Sequence, residues 1–356
     1  MQGVYTIGAD THCAFTELAM LSPSGKVIRR ERCPTTIPDL HGVLATVRRP
    51  RVTVIEEGPL ADWLFRGLGD REETVVVCDP RRNHLIAKDS DKDDAIDAEK
   101  LGRLFQAGFI KEVHHSASHA RMCFKRRVAL YHDRIRNRVR QANRLMAQCR
   151  AFGVFVRERD FADADGWTQC RRELPSDKAT RSDLDMVWEG YAFAAGQAGC
   201  LRKRVIEQGR REPTVRRLTA LPGVAWIRAS TFYAYVDTPF RFRKKQALWR
   251  YLGIGLERRV SGEGFERVRV AQNAHHVLKD MILGAAVSAI ASKGNPFADQ
   301  YRRWTDAGIL TRNARRNVAR SLATVMWGMW KSGEAYRPDL VAEAARRALM
   351  TRPSDR

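Results

Sequence analysis

Two aspartates in the stretch Lys92 to Lys100 carry the first chemical signal in this chain. Asp94 and Asp97 are three residues apart, so on a helix their carboxylates share one face. Because like charges at this spacing repel each other, the pair suggests that a cation is expected between them. Ligand sets made only of oxygen favour Mg²⁺, or Mn²⁺, over zinc. Acidic residues are also common in the first turn of any helix, where they complement the macrodipole, so the pair alone leaves both interpretations open.

Two further carboxylates follow predicted strands. Asp10 ends a short apolar run, and Glu56 follows a β-branched run later in the chain. If these two strands are neighbours in a sheet, both carboxylates emerge at one edge, within reach of a helix that packs there. Ordinary strand-end residues are the alternative for each acid alone. Together the four acids predict a metal site of the kind that stabilises the attacking and leaving oxygens of phosphoryl transfer, built from Asp10, Glu56, Asp94 and Asp97.

The elements that must position these acids form an α/β domain. Three short strands joined by tight turns predict an antiparallel meander, with one turn at Ser22-Pro23-Ser24-Gly25. A helix, a fourth strand, a second helix, a fifth strand and the helix with the aspartate pair follow. The order β-β-β-α-β-α-β-α predicts a mixed sheet flanked by helices.

Composition points to a nucleic-acid partner. The chain has 356 residues and a net charge of +22, which predicts two or three domains and a polyanionic partner. Residues 1–117 carry a net charge of −2, and the remainder carries +24. The seven cysteines include no C-x-x-C pair, so neither a zinc ribbon nor a disulfide framework is indicated. No signal segment or membrane span is evident, and we expect a soluble cytoplasmic protein.

The stretch 118–150 predicts a long basic helix, because it holds ten Lys and Arg residues and a single acid, Asp133. An apolar stripe recurs every seven residues, which is typical of a coiled coil, with first positions Val128, Ile135, Ala142 and Cys149 and second positions Val139 and Met146. Arginines on the outer face are expected to contact phosphates rather than only solvent. They are Arg126, Arg127, Arg134, Arg136, Arg138, Arg140 and Arg144.

After this helix the pattern weakens. Residues 152–185 are expected to be irregular, and Val187 to Gln208 to form a returning helix despite its three glycines. Leu218 to Val224 resembles the turn of a helix-hairpin-helix element, where glycine lets backbone N–H groups approach a DNA phosphate. A plain turn between two helices fits this stretch equally well. Near the end, Thr311 to Gly333 predicts a helix with an apolar face and a basic side at Arg315, Arg316 and Arg320, and Leu340 to Met350 predicts a short tail helix.

A serine provides the second chemical signal. Ser261 lies in a predicted glycine-rich loop, Arg258 to Gly264, directly after Arg258, Arg259 and Val260. Serine is a weak nucleophile until its proton is removed and the charge at the reacting centre is neutralised. The two arginines would therefore suit attack on a phosphodiester, although a lone Ser-Gly is most often an ordinary turn.

The ordered motifs resemble a known family, the DEDD transposases of bacterial insertion sequences, which includes the Piv and MooV invertases and recombinases guided by a bridge RNA. Each motif alone is weak, but together they match in order along nearly the whole chain. They are Ile7-Gly8-Ala9-Asp10, Ile55-Glu56, Lys92-Asp93-Asp94-Ala95-Ile96-Asp97-Ala98, Leu221-Pro222-Gly223-Val224, Arg258-Arg259-Val260-Ser261-Gly262 and Trp330-Lys331-Ser332-Gly333-Glu334-Ala335-Tyr336.

The resemblance implies a RuvC-like domain of RNase H fold (1–117), a coiled-coil region (118–212), a mainly helical transposase domain (213–340) and a tail (341–356). It further implies that the four acids hold Mg²⁺, that Ser261 forms a phosphoserine link to DNA, and that both domains contribute to one composite site in a dimer or tetramer. Donor and target DNA and a structured guide RNA would be the partners. In place of the family's Thr-Gly after the strand-four glutamate stands Glu57-Gly58, which makes Glu57 a rival of Glu56 as ligand.

Two other functions compete with a serine recombinase. One is a RuvC-type nuclease in which metal-activated water attacks the DNA and Ser261 is only structural. The other is a nucleic-acid-binding protein with a decayed active site, against which the intact set of four acids argues. A covalent link between protein and DNA would exclude the nuclease.

Overall fold

The computed structural model describes residues 3–80, 94–261, 265–270 and 275–343, and at residues 95, 258–261 and 265–270 it describes the backbone alone. The chain divides into two compact units, Met1–His119 and Ala120–Arg356. Each unit has its own buried apolar core. The division of the chain into four segments stays a prediction.

The first unit begins with an antiparallel meander of three strands. β1 (Tyr5–Thr11) pairs with β2 (Phe15–Leu21), and β2 pairs with β3 (Val27–Pro34). The turn between β2 and β3 contains Gly25, whose amide donates to the carbonyl of Ser22 at 2.9 Å. Its φ of +84° lies in the region that glycine adopts without strain. The predicted meander is confirmed.

Two parallel strands complete the sheet. β4 (Arg51–Glu56) lies beside β1 and β5 (Val75–Cys78) beside β4, which gives the order β3-β2-β1-β4-β5. Helix α1 (Ile37–Ala45) joins β3 to β4, and helix α2 (Ala61–Gly69) is the crossover that parallel β4 and β5 require. The core on the face of α1 and α2 combines strand and helix residues, among them Ile7, Leu18, Ile55, Val77, Leu40, Leu44, Leu64 and Leu68.

A third helix, α3 (Asp94–Gln106), covers the opposite face of the sheet. Its buried residues Ala98 and Leu101 pack against strand residues of that face, which include Ala19, Leu21, Val54 and Cys78. Since side chains alternate along a strand, Gly8 and Asp10 of β1 belong to this face as well. The first unit is therefore an α/β fold with a mixed sheet between helices, as predicted.

Two long antiparallel helices begin the second unit, α4 (His119–Ala151) and α6 (Lys178–Arg211). Arg127 donates to Gln208 near one end of the pair, and Arg134 donates to Gln197 at 3.3 Å further along. The seam on α6 recurs every seven residues, at Leu184, Tyr191, Ala198 and Val205. The long basic helix and its returning partner are thus confirmed.

The seam on α4 differs from the prediction in one respect. Of the predicted first positions, Val128, Ala142 and Cys149 are fully buried and Ile135 is partly buried. The predicted second position is wrong in part, because Val139 is 41% exposed, whereas Met146 is partly buried against an apolar cluster. One residue earlier in the heptad the side chains are buried instead, at Phe124, Tyr131 and Leu145. These side chains belong to the same apolar clusters as residues of α6. A coiled coil stays a prediction.

The segment between these helices is structured, and the prediction of an irregular stretch was wrong. It contains a 3₁₀ turn (Glu158–Asp160) and helix α5 (Ala164–Arg172), and α6 already begins at Lys178. Asp163 accepts from the Gly166 amide at 2.9 Å and Asp177 accepts from the Thr180 amide at 2.9 Å, so each caps a helix start. A small core around Trp167 and Trp188, whose rings stack, holds the segment in place.

Shorter helices build the rest of the second unit, α7 (Pro213–Leu218), α8 (Trp226–Val236), α9 (Lys245–Tyr251), α10 (His276–Ala291), α11 (Pro296–Asp306) and α12 (Thr311–Ser332). The predicted apolar face of α12 is confirmed at Val318, Leu322, Met326 and Met329. Its basic side is wrong in part, because the half-buried Arg320 donates through Nε to the carbonyl of Ile254 at 2.7 Å. That arginine stabilises the unit itself.

The stretch Leu218 to Val224 forms a turn between α7 and α8. Gly223 has a φ of +77°, and a Cβ at this position would lie 2.2 Å from the carbonyl oxygen of Ala285 on α10. Only glycine permits this contact between a turn and a helix of the same unit. Of the two interpretations of this stretch, the structure favours the plain turn.

A two-stranded hairpin contains the candidate serine. β6 (Leu256–Ser261) pairs with β7 (Phe265–Val270), with Ser261 opposite Phe265. The prediction of a loop from Arg258 onward was therefore wrong, because the strand extends up to Ser261. Residues 262–264 of that loop lie outside the described residues, as does most of the predicted tail helix beyond residue 343.

Candidate metal centre

The two acids at strand ends come from neighbouring strands. β1 and β4 are parallel with Ala9 opposite Ile55, so Asp10 and Glu56 are the next residues of the two strands. Because side chains alternate, both belong to the sheet face that α3 covers. The two strands are therefore neighbours, which is the condition for both carboxylates to emerge at one edge.

Gly8 sets how closely α3 approaches this edge. A Cβ at Gly8 would lie 1.8 Å from the carbonyl oxygen of Ala98 and 2.8 Å from the amide nitrogen of Gly102, both on α3. Since no side chain separates strand from helix, the first turn of α3 reaches the end of β1. This contact is what brings Asp94 next to Asp10.

A histidine joins the two aspartates. His12 Nε2 lies 3.1 Å from Asp10 Oδ2 and 3.4 Å from Asp94 Oδ2. One ligand atom from each of the three residues falls within 4.8 Å of the other two. Sequence reasoning missed His12, although a histidine two residues after a candidate ligand at a strand end was a usable signal.

Electrostatics distinguishes Asp10 from an ordinary surface carboxylate. Burial raises the pKa of Asp10 above its usual value, His12 lowers it, and the nearby carboxylates of Asp94 and Asp97 raise it again. Asp97 is about half exposed and lies 3.5 Å from the ammonium of Lys100. A cation at this edge would therefore stabilise the charged form of Asp10.

The residues present fit a divalent cation. Ligands at 2.0–2.1 Å in adjacent octahedral positions are about 3 Å apart, close to the spacings between His12 and the two aspartates. In the part of the chain that the structure describes, no second cluster of three such ligands occurs. The structure thus brings together two of the four predicted acids, Asp10 and Asp94, and leaves Glu56 and Asp97 outside the cluster of mutually close ligand atoms.

Glu57, the rival of Glu56, is held by another histidine. His115 Nε2 lies 2.5 Å from Glu57 Oε2, and its Nδ1 lies 2.6 Å from Asp62 Oδ1. Burial alone would lower the pKa of His115, but hydrogen bonds to Asp62 and Glu57 outweigh it and raise that pKa to about 9. His115 is thus an imidazolium at neutral pH, and Glu57 is its ion-pair partner.

Polar contacts fix α3 on the sheet at both ends. Glu99 accepts from Arg30 of β3 at 2.5 Å and from Arg103 at 2.7 Å, and these guanidinium groups hold the pKa of Glu99 below its usual range. At the end of the helix, Gln106 donates to the hydroxyl of Thr6 at 3.1 Å. These contacts keep the acidic first turn of α3 at the end of β1.

Comparison with protein families supplies the identity. A family model for DEDD transposases of the IS110 type, described as a transposase, matches residues 7–152. A second model, described as transposase of the IS116/IS110/IS902 family, matches residues 215–302. The chain belongs to the IS110 family of DEDD transposases. No curated protein matches it.

Family membership settles several predictions for this transposase. It is an enzyme that acts on DNA as a transposase or recombinase, and its first unit is the RNase H-like domain that the resemblance implied. The family also implies dependence on a divalent metal ion, and the cluster of Asp10, His12 and Asp94 lies within the first matched segment. In the described ranges no helix is long and apolar enough to cross a membrane.

The candidate phosphate-binding arginines on α4 of the transposase fall into two groups. Arg126, Arg136, Arg140 and Arg144 are exposed, and Arg136 lies 3.5 Å from Asp133. Arg127, Arg134 and Arg138 are partly buried: Arg134 donates to Asp133 at 2.6 Å and to Gln197, Arg138 lies 3.2 Å from Glu158, and Arg127 donates to Gln208. Binding of nucleic acid by any of them stays a prediction, with Arg140 the better candidate.

Ser261 and its two preceding arginines belong to the second unit of the transposase, within the second matched segment. On the backbone of the hairpin, Arg258 is opposite Val268 and Arg259 is opposite Arg267. The four acids belong to the first unit. The role of Ser261 stays a prediction.

Proposed function

We propose that this transposase cuts and rejoins DNA through a phosphoserine intermediate at Ser261, with Mg²⁺ or Mn²⁺ held by Asp10, Glu56, Asp94 and Asp97. One observation carries the proposal: Asp10 and Asp94 converge in a chain that belongs to a DEDD transposase family. The fit of these oxygens to a hard divalent cation supports the metal part.

The serine step exchanges one phosphodiester bond for another. The Ser261 Oγ–phosphorus bond forms while a phosphorus–oxygen bond of the DNA backbone breaks, and the departing DNA oxygen takes up a proton as the serine loses one. Attack by a DNA hydroxyl on the phosphoserine reverses this step and rejoins the strand. A bound divalent ion would counter the charge that develops on the phosphoryl oxygens. Because bond energy is retained, the exchange needs no nucleotide cofactor.

The partners follow from charge and from the family resemblance. Residues after 117 carry a net charge of +24, which suits donor and target DNA and, we propose, a structured guide RNA. A homo-oligomer, dimer or tetramer, would bind two DNA duplexes at once.

The test is a trapping experiment on DNA from the ends of the transposase's own element. A nicked, labelled suicide duplex is incubated with the full chain and Mg²⁺, with and without RNA transcribed from the non-coding DNA beside the gene. We expect a denaturation-resistant adduct that Ser261→Ala abolishes and that Ser292→Ala, a matched change at an exposed helix end, retains.

The acids are tested with the same substrate. Asp94→Asn and Glu56→Gln should abolish cleavage, whereas Glu57→Gln and the exposed control Asp70→Asn should retain it. Cleavage without any adduct would replace the serine mechanism with a RuvC-type nuclease. Equal adduct yields with and without RNA would remove the guide from the proposal, and absence of both cleavage and adduct under every condition would support a decayed enzyme.

A further inference from the structure

His12 lies between the carboxylates of Asp10 and Asp94 at the edge of the sheet. Its Nε2 lies 3.1 Å from Asp10 Oδ2 and 3.4 Å from Asp94 Oδ2. Asp94 comes from a helix that begins more than 80 residues later in the chain. A single nitrogen that points at two carboxylates from different elements occupies one corner of a three-atom cluster.

The ring of His12 is held in that orientation. It packs on Phe15 with ring centroids 4.7 Å apart, and the guanidinium of Arg32 lies 4.4 Å from the centre of the same Phe15 ring. The backbone amide of His12 donates to the Phe15 carbonyl at 3.0 Å, which closes the turn between β1 and β2. A fixed imidazole loses little rotamer freedom when it binds a ligand.

We propose that His12 supplies a nitrogen ligand to the divalent ion that Asp10 and Asp94 bind. This inference rests on the proposed metal site and adds one donor to it. The observed spacings match cis positions of an octahedral ion, where neighbouring donors are about 3 Å apart. A nitrogen donor makes the site a better fit for Mn²⁺ or Co²⁺ than for Ca²⁺, since imidazole suits transition metals and Ca²⁺ prefers oxygen alone.

A second role is physically possible, and it has the opposite consequence. If His12 is only a hydrogen-bond partner of the two carboxylates, a metal ion must displace it, and removal of His12 would leave metal affinity unchanged or raise it. If His12 is a ligand, its removal lowers Mn²⁺ affinity by at least about tenfold. The direction of the change separates the two roles.

Pulsed EPR of the Mn²⁺-loaded full-length transposase tests the bond directly. We expect nuclear modulation from ¹⁴N in the wild-type protein, and its replacement by a ¹⁵N pattern when the protein is made with ¹⁵N-labelled histidine. This comparison needs no variant, so it does not depend on whether a substituted chain folds. His12→Ala should then remove the nitrogen signal, and the exposed His276→Ala should keep it.

The outcomes separate this inference from the proposed function. Mn²⁺ that binds, is lost in Asp94→Asn and shows no nitrogen coupling would overturn the role of His12 and leave the acidic site standing. A nitrogen signal that survives in His12→Ala would assign the coupling to another residue and equally overturn it. If Asp94→Asn removes no bound Mn²⁺, the metal part of the proposed function fails and His12 has no ion to bind.

Discussion

The two units of this transposase bury histidines with opposite results. In the first unit, His115 lies between the carboxylates of Glu57 and Asp62, which raise its pKa to about 9. In the second unit, burial lowers the pKa of His132 to about 4, and the nearby charges of Arg136 and His275 add to that effect. The first imidazole is charged at neutral pH and the second is neutral.

The difference shows that the neighbours of a buried group, rather than its burial, decide its charge. Desolvation acts against the imidazolium in both units. Within the described residues, two carboxylates lie within hydrogen-bond distance of His115, whereas the partner of His132 is a hydroxyl. The His132 Nε2 lies 2.9 Å from the hydroxyl of Thr231, which itself donates to the carbonyl of Ile227, so a neutral ring donates to that oxygen.

Glycine, by contrast, permits the same kind of close backbone contact in both units. Gly8 and Gly223 each lie against the backbone of a helix, so a Cβ at either position would collide with a carbonyl oxygen. Only the contact at Gly8 brings acidic side chains together. Substitutions at these positions therefore separate the stability of a unit from its chemistry.

The largest expected effect follows from Gly8→Ala. The added Cβ would force α3 away from β1, so we expect a loss of about 3 kcal/mol in the stability of the first unit and weaker Mn²⁺ binding at Asp94. Hydrogen exchange of α3 peptides and Mn²⁺ titration measure the two effects. Gly42→Ala, at a helix position with open space around it, is the matched control and should be neutral or slightly stabilising.

Gly223→Ala tests the corresponding glycine contact in the second unit. It should destabilise the second unit, because the residue has a positive φ and little space, and leave Mn²⁺ affinity unchanged. Lower Mn²⁺ affinity in Gly223→Ala, or unchanged affinity in Gly8→Ala, would contradict the link between the α3 contact and the acidic site.

His115 should make the first unit less stable in alkali. A histidine whose pKa is raised on folding stabilises the fold fully below its unfolded pKa of about 6.5, and this contribution disappears as pH rises through about 9. The expected loss is about 3 kcal/mol between these limits. Exchange of amides in β4, corrected for the intrinsic pH dependence, should show the slope in wild type and lack it in His115→Gln. Parallel slopes in the two proteins would refute an ion-paired His115.

His132 should make the second unit less stable in acid. Its pKa is lowered on folding, so its contribution is complete above about 6.5 and disappears as pH falls towards about 4. The expected loss of stability in the second unit is again about 3 kcal/mol. Seven of the eight tryptophans belong to the second unit, so tryptophan fluorescence reports its unfolding. His132→Gln should flatten the acid limb of this fluorescence transition and leave the alkaline slope of amide exchange in β4 unchanged.

The smallest effect concerns the arginines of α4. For binding to random-sequence duplex DNA, Arg140→Ala should reduce the slope of log affinity against log salt concentration by about the contribution of one phosphate contact. Arg138→Ala is the matched comparison and should change it less, because Arg138 is paired with Glu158. Equal effects of the two substitutions would show that the ion pair opens on DNA.

Much of the fold was predictable from the sequence alone, for physical reasons that are local. The apolar runs before Asp10 and Glu56 specify strands, and the glycine at position 25 permits the turn between two of them. The spacing of Asp94 and Asp97 fixes their shared helix face. Asp163 and Asp177 are capping residues that mark the starts of two helices. The helices were not predicted because the apolar pattern that follows each aspartate is weak.

Tertiary structure decided what lies far apart in the chain. His12 meets Asp94, and Glu57 meets His115, only because α3 and the segment after it pack on particular strands. The arginine pattern of α4 likewise gave no sign that Arg134 and Arg138 have partners on elements that follow much later. Sequence periodicity reports which face of an element is apolar, whereas the partner of a charged side chain depends on which elements become neighbours. Asp10 and Asp94 were therefore candidates from the sequence, whereas the contact of His12 with both of them depends on the fold.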